Sequence, residues 1–197
     1  MKLSIIIPVY NEEKTILAVV DKVLKTDFGI SKEIIIVDDG STDETPSILK
    51  KLQISDCKII FHTTNKGKGA AVKTGIENST GDIIAIQDAD LEYNPEELKY
   101  LIKPILEGKS LVVYGSRFMK DNPVLYKKYY LGNKFMSWFI SLLFGQKITD
   151  SYTCYKVFHK KVLENIKLES KRFELEAELT CKFLKYGYKI LELPISY

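Results

Sequence analysis

Short β-branched runs separated by helical stretches are the feature that most constrains this chain. The runs are Leu3-Ser4-Ile5-Ile6-Ile7, Glu33-Ile34-Ile35-Ile36-Val37, Lys58-Ile59-Ile60-Phe61, Asp82-Ile83-Ile84-Ala85-Ile86 and Leu111-Val112-Val113-Tyr114. Helical candidates lie between them at residues 12–26, 43–53, 68–79 and 95–107. Nearly continuous apolar strands alternating with helices predict a mostly parallel sheet with helices on both faces. Right-handed crossovers make such an α/β layer doubly wound, and ligands then sit beyond the carboxyl ends of the strands. A last helix is expected over 173–186, and a strand around Ile190-Leu191-Glu192-Leu193.

The chain's 197 residues suit one domain with a single core. A formal charge of +3, with no block of Lys or Arg, argues against nucleic acid as a partner. Cys57, Cys154 and Cys181 are odd in number and form no C-x-x-C pair, so they read as free thiols in a reducing compartment. The apolar run at the N-terminus stops at Pro8, too early for a signal peptide. Residues 125–145 are rich in aromatics and include ten near-continuous apolar residues, Phe135 to Phe144. That is about half of a bilayer span. The segment reads either as a helix packed on the sheet edge or as an interfacial helix approached by Lys127, Lys128 and Lys134.

Three strand ends converge on acids: Pro8-Val9-Tyr10-Asn11-Glu12-Glu13, Val37-Asp38-Asp39-Gly40-Ser41-Thr42-Asp43 and Gln87-Asp88-Ala89-Asp90-Leu91-Glu92. Like charges gathered in this way need compensation, and a divalent cation supplies it most simply. Asp88 and Asp90 can turn toward one point with Glu92 nearby, a hard-oxygen set suited to Mg²⁺ or Mn²⁺. Ser41 or Thr42 can cap the following helix, which explains the turn but not Asp39. Asn65-Lys66-Gly67-Lys68-Gly69-Ala70-Ala71 has Val72 where G-x-G-x-x-G needs its third glycine and lacks the P-loop pattern. A dinucleotide dehydrogenase and a P-loop ATPase are therefore disfavoured. Gly67 and Gly69 read as a tight turn with close helix packing, and Lys66 or Lys68 as near substrate.

On the last helix, Phe173, Leu175, Ala177, Leu179, Phe183 and Leu184 form one apolar face, with Glu174, Glu178, Lys182 and Lys185 opposite. Glu176 falls inside the apolar arc, so it is either exposed to a cleft or favoured by the helix N-terminus. Asp150 is a turn residue or a site residue, and Arg117 binds either a phosphate or an acid of the fold. His62 and His159 read as structural.

Taken together and in order, these strings resemble the family 2 glycosyltransferases with the GT-A fold. Within that family the chain is most similar to the dolichyl- or polyprenyl-phosphate mannosyl- and glucosyltransferases. Gly115-Ser116-Arg117-Phe118, Thr149-Asp150, Thr153-Cys154-Tyr155-Lys156, Phe173-Glu174-Leu175-Glu176 and Glu192-Leu193-Pro194-Ile195-Ser196-Tyr197 complete the match. Many members have Ser/Thr-Gly-aromatic-Arg where this chain has Thr153-Cys154-Tyr155-Lys156. Members also continue into a segment with an Arg and a Glu-Gly-Lys-Lys run, so the chain is expected to be truncated at Tyr197.

The resemblance implies roles for particular positions. Pro8, Tyr10, Glu12, Val37 and Asp39 would line a nucleotide pocket, with Asp39 reading the base. Asp88, Ala89, Asp90 and Glu92 would hold ribose, metal and diphosphate, and Arg117 and the lysines around 127–134 would meet phosphate groups. Asp90, Asp150 and Glu176 would be catalytic, with Glu176 facing the cleft. Residues 1–117 would bind the nucleotide sugar and 118–197 the acceptor. The implied reaction is metal-dependent, inverting transfer of a hexose from a GDP-mannose or UDP-glucose type donor to a polyprenyl phosphate. It would occur at the cytoplasmic face of a membrane, with peripheral contact through 135–144. Transfer to a sugar hydroxyl, a nucleotidyltransferase and a non-catalytic nucleotide-sugar-binding module are the alternatives.

Overall fold

A computed structural model describes residues 1–123 and 127–197, apart from the side chain of Lys127. The expectations for residues 125 and 126, and for that lysine's side chain, lie outside the described residues. Along the chain run β1 (Lys2–Val9), α1 (Ile16–Lys25), β2 (Ser31–Asp38), α2 (Thr45–Lys50), β3 (Cys57–Phe61), α3 (Lys68–Glu77) and β4 (Ile83–Ile86). There follow α4 (Leu98–Leu106), β5 (Val112–Ser116), α5 (Lys127–Phe144), β6 (Lys156–His159), α6 (Glu174–Lys185) and β7 (Ile190–Pro194).

The seven strands form one sheet in the order β3-β2-β1-β4-β6-β5-β7. The pairs β1/β2, β1/β4, β2/β3 and β5/β7 are parallel, so the predicted α/β layer is present. Residues 5–7 of β1, 34–37 of β2 and 83–86 of β4 are buried, as expected of strands covered on both faces. Strand β6 was not legible as a strand. It is four residues long, opens on the fully buried Lys156 and runs antiparallel between β4 and β5. A charged residue on so short a run hides the apolar pattern that marks the other strands.

The helices follow their apolar spacing. α1 buries Ile16, Val19, Val20 and Val23, an i, i+3, i+4, i+7 stripe. α3 lies close against β1 because Gly75 has no side chain: a Cβ there would stand 2.4 Å from Ile6 Cγ2. α2 starts at Thr45, whose backbone N–H donates to Asp43 Oδ1. Ser41, expected as a cap, instead donates to Asp38 and accepts from the Asn11 N–H. The turn therefore ties β2 to the β1 loop before any helix begins.

One side of α5 packs into the protein, as the first of its two expected readings has it, and the rest of its surface is open. Ser137 and Ile140 are buried, and Ser137 pairs with Ser151. Phe135, Trp138, Phe139, Leu142 and Leu143 are exposed along the rest of the helix. Among the described residues no helix is long and apolar enough to cross a membrane. Cys154 is buried, Cys57 and Cys181 are partly so, and all three are free.

Two glycines test this packing in opposite directions. Gly75→Ala is expected to cost about 1–3 kcal/mol through overpacking on Ile6. Gly132→Ala, on α5 with open space around its Cβ, is expected to stabilise by about 0.5–1 kcal/mol. Urea denaturation of both variants checks the pair.

Candidate active site

In the sheet, β1 sits where the strand order reverses, with β2 on one side and β4 on the other. Crevices at the carboxyl ends of such strands are the ligand sites of open α/β sheets. A cavity of about 490 Å³ lies there, lined by Pro8, Tyr10, Glu12, Asp39, Asp88, Ala89 and Asp90. Seven of the residues expected at a nucleotide pocket are thus brought together. Val37 is not among them: it is fully buried one layer below, packed with Ile35 and Ala71. Its alternate position on β2 turns it into the core instead of the crevice.

Asp39 is buried and fully engaged. Its carboxylate accepts from the backbone N–H groups of Lys66 (3.0 Å) and Gly67 (2.6 Å), and His62 Nδ1 lies 2.6 Å away. His62 Nε2 in turn meets Thr74 Oγ1 at 3.0 Å. Asp39 therefore clamps the glycine-rich loop onto the end of β2, and His62 orients the clamp.

The glycines of that loop admit a second backbone. A Cβ on Gly67 would lie 2.5 Å from the Lys171 carbonyl oxygen, and one on Gly69 2.8 Å from that of Arg172. The crossing segment brings Arg172 and Phe173 to the cavity wall. Sequence reasoning missed both, and it had assigned Phe173 to the core face of α6, whereas its side chain is exposed. The paired glycines signalled a close approach but could not name the partner, which lies about a hundred residues later.

Glu178 holds that crossing segment in place. It accepts from the N–H groups of Glu169 and Ser170 (both 2.8 Å) and from Lys182, 2.7 Å away. Burial pushes the Glu178 carboxyl up, but these donors outweigh it and bring it down to about 2.

At the end of β4, Leu91 adopts φ +68°, a left-handed conformation that is costly for a bulky residue and common at working sites. The turn divides two carboxylates between two cavities: Asp90 lines the first and Glu92 a second, of about 580 Å³. Glu92 accepts from the Tyr197 hydroxyl at 2.6 Å. The expected trio Asp88, Asp90 and Glu92 is thus split, and among the described residues no three His, Cys, Asp or Glu converge as a ligand set. Asp88 and Asp90 still share a cavity. Partial burial and then the Asp88 charge push Asp90 up to about 6, with Glu92 and Glu12 adding to the effect. Such an excess of negative charge is what a hard cation would relieve.

Asp88 has a cation of its own. Lys68 Nζ lies 2.8 Å from Asp88 Oδ1 and 2.9 Å from Oδ2, and 3.3 Å from Glu176 Oε1. Burial disfavours the Lys68 charge, but the carboxylates hold it protonated well above the ordinary lysine range. Glu176 does not face the cleft, contrary to expectation. It is 3% exposed, and its Oε2 is bonded to Lys156, itself fully buried and bonded to the Thr153 carbonyl. Lys156 rises under α6 from β6, so the apolar arc around Glu176 conceals a buried cation.

Asp150 is also closed off. It is fully buried, and its carboxylate accepts from Arg117 Nε (2.8 Å), Nη2 (2.9 Å) and backbone N–H (3.1 Å). Arg117 lies outside the first cavity and lines the second, with Phe118, Lys120, Asn122, Tyr130, Lys134 and Tyr197. Its guanidinium stands 5.0 Å from the centre of the Tyr197 ring.

Glu178 yields a prediction with a definite sign. A carboxyl lowered on folding stabilises fully above its unfolded value, near 4.5, and the benefit is lost as pH falls through about 2. Glu178→Gln is expected to be less stable than the parent chain at pH 7. The gap should narrow steadily from pH 5 downward in urea titrations.

Comparison with known proteins accords with this geometry. The chain is 31% identical to the dolichol-phosphate mannosyltransferase of Pyrococcus furiosus, over all of this chain and 56% of that protein. It is 34% identical to the UDP-N-acetylglucosamine–dolichyl-phosphate N-acetylglucosaminyltransferase of Methanococcus voltae, covering 98% of this chain and 84% of that one. In fold it superposes on glucosyl-3-phosphoglycerate synthase of Mycobacterium tuberculosis, crystallised with Mn²⁺, UDP and glucosyl-3-phosphoglycerate, with a TM-score of 0.78. That likeness covers 99% of this chain and 70% of the other at 20% identity, and it marks the fold as GT-A. Residues 4–167 match the family described as Glycosyl transferase family 2, and the chain belongs to that family of glycosyltransferases.

Proposed function

We propose that this glycosyltransferase moves a hexose from a nucleotide sugar to the phosphate of a polyprenyl lipid, with Mg²⁺ or Mn²⁺ as cofactor. The observation that carries the reading is the state of the two carboxylates expected to act as bases. Asp150 is saturated by Arg117, and Glu176 is buried against Lys156. A sugar hydroxyl needs its proton removed as it attacks, whereas an acceptor phosphate is already anionic and needs no base. The names of the two archaeal relatives, both dolichyl-phosphate transferases, point the same way.

The donor's nucleoside diphosphate occupies the cavity at β1, β2 and β4. Asp39 holds the loop that shapes the base end, and Arg172 supplies positive charge on the wall. Asp88 and Asp90 would hold the cation, which when bound neutralises charge on the departing diphosphate. The acceptor phosphate occupies the second cavity, between Lys120, Lys134 and the N–H donors of Arg117 that Asp150 leaves free. A phosphate oxygen forms the new bond to the anomeric carbon from the opposite side. The bond from that carbon to the donor's phosphate breaks, and the nucleoside diphosphate leaves with the electron pair, giving inversion. Asp150 is then a positioning residue that aims Arg117. The donor rests mainly on residues 1–117 and the acceptor on 118–197, with Arg172, Phe173 and Glu92 crossing that division.

The exposed aromatic face of α5 would lie on the cytoplasmic surface of the membrane, with Lys128 and Lys134 near anionic headgroups. The lipid's phosphate would then lie beside Tyr130 and Lys134, which line the second cavity.

The deciding assay offers GDP-mannose, UDP-glucose or UDP-N-acetylglucosamine with a polyprenyl phosphate and Mn²⁺ or Mg²⁺. Metal-dependent formation of a lipid-linked sugar is expected, with Asp90→Ala lowering kcat by about 10²–10³-fold. Nucleotide binding without any product would instead favour a non-catalytic module. Co-sedimentation with anionic vesicles is expected for the parent chain. It should drop sharply for the double substitution Trp138→Ser with Leu142→Ser, while the thermal melt stays close to that of the parent.

A further inference from the structure

Lys68 stands where a cation would be expected to sit. Its ammonium spans both oxygens of Asp88, at 2.8 and 2.9 Å, as a chelated ion would. It opens α3, the end of a helix where the macrodipole disfavours positive charge, so its place is set by the carboxylates, with the Phe173 ring 6.0 Å away as a weaker partner. Beyond it, Glu176 Oε1 is buried and, among the described residues, has no hydrogen-bond partner, only an ion pair to the same ammonium at 3.3 Å. A buried acceptor left unmet is costly, and Glu176 cannot turn away because Lys156 holds its other oxygen.

We propose that Lys68 is an internal counter-cation that occupies Asp88 in the absence of metal and moves onto Glu176 Oε1 when a divalent cation arrives. This rests on the reading of Asp88 and Asp90 as the cation's ligands. The exchange needs no backbone motion. The start of α3 is pinned by the crossing segment at Gly67 and Gly69, and only the flexible lysine stem rotates. Charge is conserved around Glu176, whose two oxygens are then each met by an ammonium. Asp88 is freed to turn both of its oxygens to the metal. Lys68 and Glu176 are thus positioning residues that set how tightly the metal is held.

The test is titration of Mn²⁺ alone, read as loss of the electron paramagnetic resonance signal of the free ion. Lys68→Met is expected to bind Mn²⁺ about tenfold more tightly than the parent chain, since a charged hydrogen bond no longer competes for Asp88. Glu176→Gln, in protein that melts as a folded chain, is expected to bind it more weakly because the ammonium has lost its second seat. Arg172→Met removes another cation of the same cavity, one with no ion pair to Asp88 among the described residues, and is expected to change affinity far less. Unchanged or weaker binding by Lys68→Met would overturn the proposal, as would equal tightening by Arg172→Met. Mn²⁺ binding by neither the parent chain nor Lys68→Met would overturn the ligand reading of Asp88 and Asp90, and this inference with it.

Discussion

A carboxylate removed from water costs several kcal/mol unless donors or a cation meet it, and a parallel sheet concentrates such groups at one end. This protein meets each buried acid of its working face with a specific partner. Asp39 has His62 and two loop N–H groups, Asp150 has Arg117, Glu176 has Lys156, and Asp88 has Lys68. These pairings hold the loops in place as well as the charges. The bonds to Asp39 fold the glycine-rich loop over β2, and the Lys156–Glu176 pair seats α6 against β6. Asp90 is the exception, exposed at the cavity mouth with acids around it and, among the described residues, only the Glu92 N–H as its donor. Two carboxylate positions are left under-compensated: Asp90 among its acids, and Glu176 Oε1, which has an ion pair to Lys68 at 3.3 Å but no hydrogen bond among the described residues.

The antiparallel strand β6 organises the rest. By lying between β4 and β5 it carries the 148–155 turn into the sheet's working end. There Tyr155 donates to Gln87 at 2.7 Å, and the Tyr93 hydroxyl accepts from the Cys154 N–H. Arg117, at the end of β5, is consequently set apart from the acids of β4 by the width of a strand. The two cavities flank the Asp88–Glu92 turn, one lined by acids with Lys68 and Arg172, the other by Arg117, Lys120 and Lys134 with Glu92, Asp121 and aromatic rings.

Chemistry-bearing residues were legible where their meaning is local. The acids after β1, β2 and β4 follow apolar strands, and the doubly wound topology alone brings strand ends together. Glu12, Asp39, Asp88 and Asp90 therefore reached one cavity as expected. Glu176 and Phe173 were misjudged for one reason: a helical wheel reports an arc, not what lies opposite it. Lys156 sits opposite Glu176 and makes burial tolerable, while Phe173 stays largely exposed at the crevice, its ring 6.0 Å from the Lys68 ammonium. Val37 was placed by motif at the pocket, but its position on the strand points it into the core.

By itself the sequence determined the α/β layer, the parallel order of its first strands, the crevice at their ends and the membership in family 2. Those properties follow from hydrophobic period, chain direction and short motifs, all of which are written along a few neighbouring residues. Only the tertiary structure decided which carboxylates are spent on holding the protein together and which remain open. It paired Asp150 with Arg117, Glu176 with Lys156 and the glycine-rich loop with residues 171 and 172. Each pairing spans from about twenty to a hundred residues of chain. The energy of a charge depends on what is folded against it, and no local pattern carries that information.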